Sequence, residues 1–204
     1  MAHYHIQSPL ADELIETLRA GDTVSIDGHI FGIRDANLIR LFDQKVELPP
    51  DLIAQLKGAI GLHTAPNVKK LENGKYKKIC VGTTTSYRMD RFTRGLFKTY
   101  GLKAIAGKGG LLEDGCQACV DLKGCYLTVI GGAAALETLQ IEDIEEVWWE
   151  DLMPEAIWKF RVKNFGPLIV SIDCHGNNLY RNIKAQAKKN MEHVLAELGI
   201  KSDQ

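Results

Sequence analysis

No stretch of the 204 residues is apolar for long enough to cross a bilayer; the longest apolar run, 126–136, is short and holds two glycines. The start, Met1-Ala2-His3-Tyr4-His5, lacks the basic-then-apolar plan of a signal peptide. These two absences predict a cytoplasmic protein with no membrane partner. An excess of either charge sign is also missing. Lys plus Arg number 25 and Asp plus Glu 26, a net charge of −1, which removes the global electrostatic case for nucleic acid or anionic lipid. Cysteine is sparse: five residues, odd in number and irregular in spacing, fit reduced thiols better than a disulfide framework. Neither a linker nor an internal repeat divides the chain. Its length suffices for one well-buried domain, expected to span 1–204.

What is present reads as alternating strands and helices. Ser8-Pro9 ahead of Leu10, Leu14, Ile15 and Leu18 predicts an N-cap, a Pro at the first helical position and an apolar helical stripe. Strands are expected over 23–26 and 29–33, joined as a hairpin at Asp27-Gly28. Asp35 reads as the N-cap of a short helix carrying Leu38, Ile39 and Phe42. A helix over 51–56, a strand over 59–63 and a Lys-rich hairpin around Asn73-Gly74 follow. Strands over 77–81, 102–106 and 125–130 alternate with helices over 88–100, from about 111 and from Gly131. Strands over 141–152, 157–162 and 167–172 lead to a terminal helix over 179–198, with Ile183, Met191, Val194 and Leu198 facing inward. Residues 201–204 should fray. The pattern predicts one α/β domain with a mixed sheet.

One stretch has the composition of a site. Gly82-Thr83-Thr84-Thr85-Ser86-Tyr87-Arg88-Met89-Asp90 lies between a predicted strand and a predicted helix. A helix start presents free N–H groups and the positive end of its dipole. Hydroxyls donate and accept, and Arg offers a planar fork to a carboxylate or phosphate. A single Ser or Thr would cap the helix; four hydroxyls in a row followed by Arg favour an anion site. Gly107-Lys108-Gly109-Gly110 repeats the arrangement after the next strand. It is not a Walker loop, since G-x-x-x-x-G-K-[ST] is absent. Successive parallel strands would bring the two corners to one sheet edge.

Other candidates stay open on local pattern. Arg34 fits a solvated surface charge and an anion-binding loop equally well. His63 could be a ligand or proton carrier, although a histidine near a strand end is more often a structural hydrogen-bonder. Cys116-Gln117-Ala118-Cys119 could bind metal or do redox chemistry. With no second C-x-x-C and no nearby His, small core residues are the expectation.

Taken together, several motifs resemble one family. They are Ile33-Arg34-Asp35-Ala36, residues 82–90, Gly107-Lys108-Gly109-Gly110, Gly131-Gly132-Ala133-Ala134, Glu155-Ala156-Ile157-Trp158 and residues 165–178. Their order and identity resemble the β subunit, or C-terminal domain, of the iron–sulfur hydro-lyases: class I fumarate hydratase and L-tartrate dehydratase. The resemblance implies a swivelling β/β/α domain. It also implies a hetero-oligomer with an α subunit that holds a [4Fe–4S] cluster through three cysteines of its own, leaving Cys116 and Cys119 without that role. An open iron of that cluster binds the substrate's carboxylate and hydroxyl. By the same resemblance Thr84 is the catalytic base, and Arg34, Thr85, Arg88, Lys108 and Gly109 bind a dicarboxylate. The acid is an Asp of the α partner. The implied reaction is the hydration of fumarate to malate in the tricarboxylic acid cycle, with the chain inactive alone and a β–β contact allowed. Tyr87 stands where many fumarases carry Gly, and residues 165–178 look closer to the tartrate enzymes. An L-tartrate dehydratase β subunit, or a stand-alone organic-acid binding module, are the alternatives.

Overall fold

The computed structural model describes residues 1–130, 132 and 134–200. The expected Gly131 corner and the fraying of 201–204 lie outside the described residues. The chain opens on a strand that hydropathy does not reveal, β1 (His3–Gln7), with only Ile6 buried. Helix α1 (Asp12–Thr17) follows. It starts three residues later than the Ser8-Pro9 signal predicts, with Ala11 as N-cap. Ser8 is held extended instead, because its N–H donates to the Asp27 carbonyl at 2.9 Å.

The expected hairpin at Asp27-Gly28 is also overturned. Thr23–Ile33 is one eleven-residue strand, β2. Parallel β1 lines one of its edges and an antiparallel strand the other, so the chain runs straight through. Gly28 takes φ +102°, and the antiparallel register slips between Ile26 and Gly28. The Asp-Gly pair is therefore a β-bulge. A Cβ on Gly28 would lie 2.8 Å from the Ser8 carbonyl oxygen.

Beyond β2 run α2 (Asp35–Phe42), α3 (Pro50–Leu56), β3 (Ile60–His63) and the hairpin β4 (Asn67–Lys70) with β5 (Tyr76–Cys80). Then come α4 (Asp90–Tyr100), β6 (Ala104–Gly107), α5 (Glu113–Asp121), β7 (Cys125–Thr128) and α6 (Ala134–Gln140). The chain closes with β8 (Ile141–Trp148), β9 (Ile157–Ile172) and α7 (Leu179–Glu197). Asp35 is the first residue of α2 rather than its cap. Arg34 holds the N-cap position, and its N–H donates to Asn37 Oδ1 at 3.2 Å. The two strands expected over 157–162 and 167–172 are one sixteen-residue strand. It bends at Asn164 (φ +52°) and Gly166 (φ +142°), a device for turning a barrel corner. Gly101 ends α4 in the left-handed region, as predicted.

The main sheet has the order β1-β2-β3-β6-β7-β9-β8, and β2 also pairs with β9. Strands β2, β3, β6, β7 and β9 thus close into a five-stranded barrel of mixed direction. Alternate side chains divide between two cores. Leu62, Ala104, Ala106, Leu127, Phe160 and Phe165 belong to one cluster. Ile33, Ile105 and Tyr126 join the helical residues Leu38, Met89, Phe92 and Leu96 in the other. Each fully buried large apolar side chain contributes about 1.5–3 kcal/mol.

The terminal helix departs from expectation. Ile183, Met191, Val194 and Leu198 are all exposed. Its first turn is anchored by Asn178, whose Oδ1 accepts the Tyr180 N–H at 2.9 Å, and by Tyr180, whose hydroxyl meets Thr128 Oγ1 at 2.8 Å. From Arg181 to Met191 every side chain is exposed. Periodicity showed an apolar stripe but not whether the body would reach it. Among the described residues no helix is long and apolar enough to cross a membrane.

Candidate functional site

Arg34, His63 and Lys108 lie at the C-terminal ends of β2, β3 and β6, which are neighbouring parallel strands. In parallel α/β sheets this is the edge where ligands bind. The hydroxyl-rich stretch reaches that edge by a route the sequence did not suggest. Its preceding strand, β5, belongs to a separate two-stranded sheet with β4. The stretch is instead stitched across the strand ends by main-chain bonds. Thr84 N–H donates to the His63 carbonyl at 2.8 Å, Ser86 N–H to the Lys108 carbonyl at 2.9 Å, and Lys108 N–H to the Thr84 carbonyl at 3.3 Å. Thr64 Oγ1 donates to the Gly82 carbonyl at 2.7 Å. The two glycine-bearing corners therefore do meet, although not as successive strands of one sheet.

Thr85 bridges Lys108 in a parallel sense and precedes a 3-10 turn, Ser86–Met89. Gly109 has φ +82°, and a Cβ there would lie 3.0 Å from Thr85 Cγ2. Gly107 is tighter still. A Cβ on it would stand 2.1 Å from Ser86 Oγ and 3.1 Å from the Tyr126 hydroxyl.

Charges are arranged on this frame. Arg88 Nη2 donates to Asp35 Oδ2 at 2.8 Å and to Thr84 Oγ1 at 3.3 Å. The hydrogen bond from Arg88 holds the Asp35 carboxyl below its usual range against the opposing effect of burial. Arg34 Nε lies 3.4 Å from Asp35 Oδ2 and 3.3 Å from Glu155 Oε1. Glu155 is itself pinned to α2, accepting the Ala36 N–H at 2.6 Å. Two cations, Arg34 and Arg88, thus face two carboxylates, Asp35 and Glu155. Lys108 carries no ion pair among the described residues, which leaves a cation for an incoming anion.

Beneath this layer lies a buried polar chain. The Tyr126 hydroxyl donates to Ser86 Oγ at 2.8 Å, and Ser86 Oγ lies 2.9 Å from His63 Nδ1. His63, Ser86 and Tyr126 are fully buried. Burial drives the His63 pKa down to about 3, so the ring is neutral at physiological pH.

Sequence reasoning named Arg34, Thr84, Thr85, Arg88, Lys108 and Gly109, and the fold brings all six to one edge. It missed Asp35 as the partner of Arg88, Glu155 as the partner of Arg34, and the Ser86–Tyr126 link below them. The adjacency of Arg34 and Asp35 was the one available signal. It also missed Glu137 on α6, which is only 4% exposed with Oε2 unpartnered. Burial pushes the Glu137 carboxyl up to about 7, with the Lys108 charge acting in the opposite direction. A carboxyl with a folded pKa above its unfolded value stabilises the fold fully below the unfolded value of 4.5. That contribution is lost as pH rises through about 7. Glu137→Gln is expected to raise stability at pH 8 by on the order of 2 kcal/mol, with the gain vanishing near pH 4. Urea denaturation of the chain at the two pH values checks this.

Among the described residues no three His, Cys, Asp or Glu side chains converge to hold an ion. Cys116 and Cys119 sit on α5 in the helical core, and burial raises both thiols. They do not fit as cluster ligands. A cavity of about 540 Å³ is lined by Ala65, Pro66, Val68, Tyr76, Met153 and Pro154 among others. Thr84, Thr85 and Arg34 are half-buried, and Arg88 is exposed. The charged edge is therefore an open face.

The chain is an α/β barrel that presents hydroxyls at its parallel strand ends beside a Lys108 with no ion pair among the described residues. Residues 2–183 match the family model described as Fumarase C-terminus, and the chain belongs to that family. It is 39% identical to the L(+)-tartrate dehydratase subunit beta of Escherichia coli strain K12 over 198 residues, covering 95% of this chain and 94% of that protein. It is 38% identical over 183 residues to a Geobacillus stearothermophilus protein provisionally named fumarate hydratase class I, covering 88% of this chain and 34% of that protein. A Methanocaldococcus jannaschii protein, provisionally named L(+)-tartrate dehydratase subunit beta, is 32% identical over 186 residues, covering 89% of this chain and 93% of its own. These names denote hydro-lyases.

Proposed function

We propose that this chain, residues 1–204 as one swivelling-type domain, is the β subunit of a heteromeric iron–sulfur hydro-lyase acting on a four-carbon dicarboxylate. The observation that carries the reading is the Arg88 guanidinium donating to the Thr84 hydroxyl, on a loop bonded through its main chain to Lys108, which has no ion pair among the described residues. In this reading the [4Fe–4S] cluster and the acid that protonates the departing hydroxyl belong to an α partner. The open face described above is the surface that such a partner would close.

The residues of this chain then have defined tasks. Dehydration removes a proton from the carbon next to a carboxylate. Thr84 Oγ1 takes that proton. An unperturbed Thr hydroxyl is a poor base; the Arg88 hydrogen bond at 3.3 Å stabilises its deprotonated form. Negative charge grows on the neighbouring carboxylate as the proton leaves. Lys108, Arg34, Thr85 and the Gly109 backbone hold that carboxylate, and preorganised cations stabilise charge as it develops. Asp35 and Glu155 hold the two Arg side chains at this edge before the substrate arrives.

Fumarate and malate are the first substrates expected, from the motif over 82–90. Tartrate is the second reading, favoured by relatives of matching length that carry that name. Co-expression with a companion chain bearing three spaced cysteines, in a cytoplasmic host, is expected to yield a complex that turns over malate or tartrate and loses activity in air. The isolated chain is expected to turn over neither. A complex with an intact cluster and no activity on either diacid would reject the reading. Tight binding of a diacid by a chain that takes no partner would favour a stand-alone binding module.

A further inference from the structure

His63 is not used by the chemistry above, yet its surroundings determine which ring nitrogen carries hydrogen. The Tyr126 phenol donates its hydrogen to Ser86 Oγ at 2.8 Å. Among the described residues Ser86 Oγ has no acceptor but His63 Nδ1, 2.9 Å away, so the arrangement that uses the Ser86 hydrogen sends it there. A neutral imidazole that accepts at Nδ1 carries its hydrogen on Nε2. That Nε2 is buried and has no partner. An unpaired buried donor costs about 1–3 kcal/mol and calls for an explanation. The charged groups that act on the ring are Asp35 and Arg88, the same pair that flanks Thr84.

We propose that His63 contacts the substrate, donating its Nε2–H to a carboxylate oxygen of the bound dicarboxylate as Arg88 turns from Asp35 toward that carboxylate. The assignment rests on the hydro-lyase reading of this edge and adds one residue to it. The contact is a neutral hydrogen bond, so it confers orientation without adding a fourth positive charge. The same residue anchors Thr84 through its main-chain carbonyl, at 2.8 Å, so one residue would register the substrate against the base. Ring charge stays constant because the burial that isolates His63 also keeps it neutral.

Two measurements decide the matter. Nitrogen-15 histidine spectra of the full chain are expected to show His63 as the Nε2–H tautomer. In the reconstituted complex that Nε2–H signal is expected to move when L-malate or L-tartrate is added. Kinetically, His63→Gln keeps an amide N–H near the Nε2 position and His63→Asn keeps one near Nδ1. His63→Asn is expected to lower kcat/KM about 100-fold, mainly through KM, while His63→Gln stays within about tenfold. An Nδ1–H tautomer overturns the proposal. So does an Nε2–H signal that ignores the diacid in an active complex, the result expected if internal water satisfies the donor. Equal losses in the two variants overturn it as well. If neither variant folds, the wild-type spectra decide. A complex inactive on both diacids rejects the hydro-lyase reading instead, which keeps the two failures apart.

Discussion

Arg88→Leu in the reconstituted complex is expected to lower kcat/KM for the diacid by about 10²–10³-fold, the usual effect of removing one preorganised electrostatic contact. Arg88 has two roles that Leu cannot replace. It donates to the Thr84 hydroxyl at 3.3 Å, and it is held ready by Asp35 at 2.8 Å. Loss of the guanidinium leaves Asp35 with only the longer contact to Arg34, 3.4 Å, and its negative charge then faces the substrate carboxylate. Arg88→Lys restores the charge but not the fork that spans Asp35 and Thr84, so only part of the activity should return. Steady-state kinetics at saturating and limiting diacid separate binding from chemistry. Activity within a few-fold of wild type for Arg88→Leu would remove Arg88 from the site.

Gly107→Ala carries the second large effect, through geometry alone. The new methyl would stand 2.1 Å from Ser86 Oγ, well inside contact distance. Ser86 is not free to swing away, because it is buried and joined to both His63 and Tyr126. Either those bonds break or the 3-10 turn lifts from the strand end, and both outcomes displace Thr84 and Arg88. Loss of stability by about 1–3 kcal/mol follows from overpacking. Activity should fall about 100-fold, since a small misplacement of catalytic groups is costly. Thermal unfolding and kinetics of the same variant check the two parts. Activity retained alongside reduced stability would show that the stitched loop tolerates displacement.

Much of this site was legible before the fold was known, because its chemistry lies in short contiguous runs. Four hydroxyls followed by Arg, and Lys between glycines, have the composition of an anion site wherever the chain places them. Their partners were not legible. Asp35 and Arg88 are far apart in the chain, and so are Ser86 and Tyr126. Only closure of the barrel brings each pair together. Glu137 shows the same limit: one more Glu on a short helix looks solvated until burial is known.

Local signals failed where tertiary pairing overrode them. Asp27-Gly28 has turn chemistry, yet β1 and β9 occupy both edges of β2 and keep it straight. The two expected strands over 157–172 merge because Asn164 and Gly166 bend β9 without ending it. The stripe on α7 was real, but a stripe says only that a face is apolar, not that the body covers it.

The sequence by itself determined the α/β class and the family and supplied the residues proposed for the site, since each is written in composition, periodicity and short motifs. Tertiary structure alone decided that β5 leaves the main sheet, that the hydroxyl stretch is stitched across the ends of β3 and β6, and which carboxylates hold its arginines. The reason is physical. A side chain's identity sets what it can bond to, but only the closed path of the backbone sets what comes within 3 Å of it.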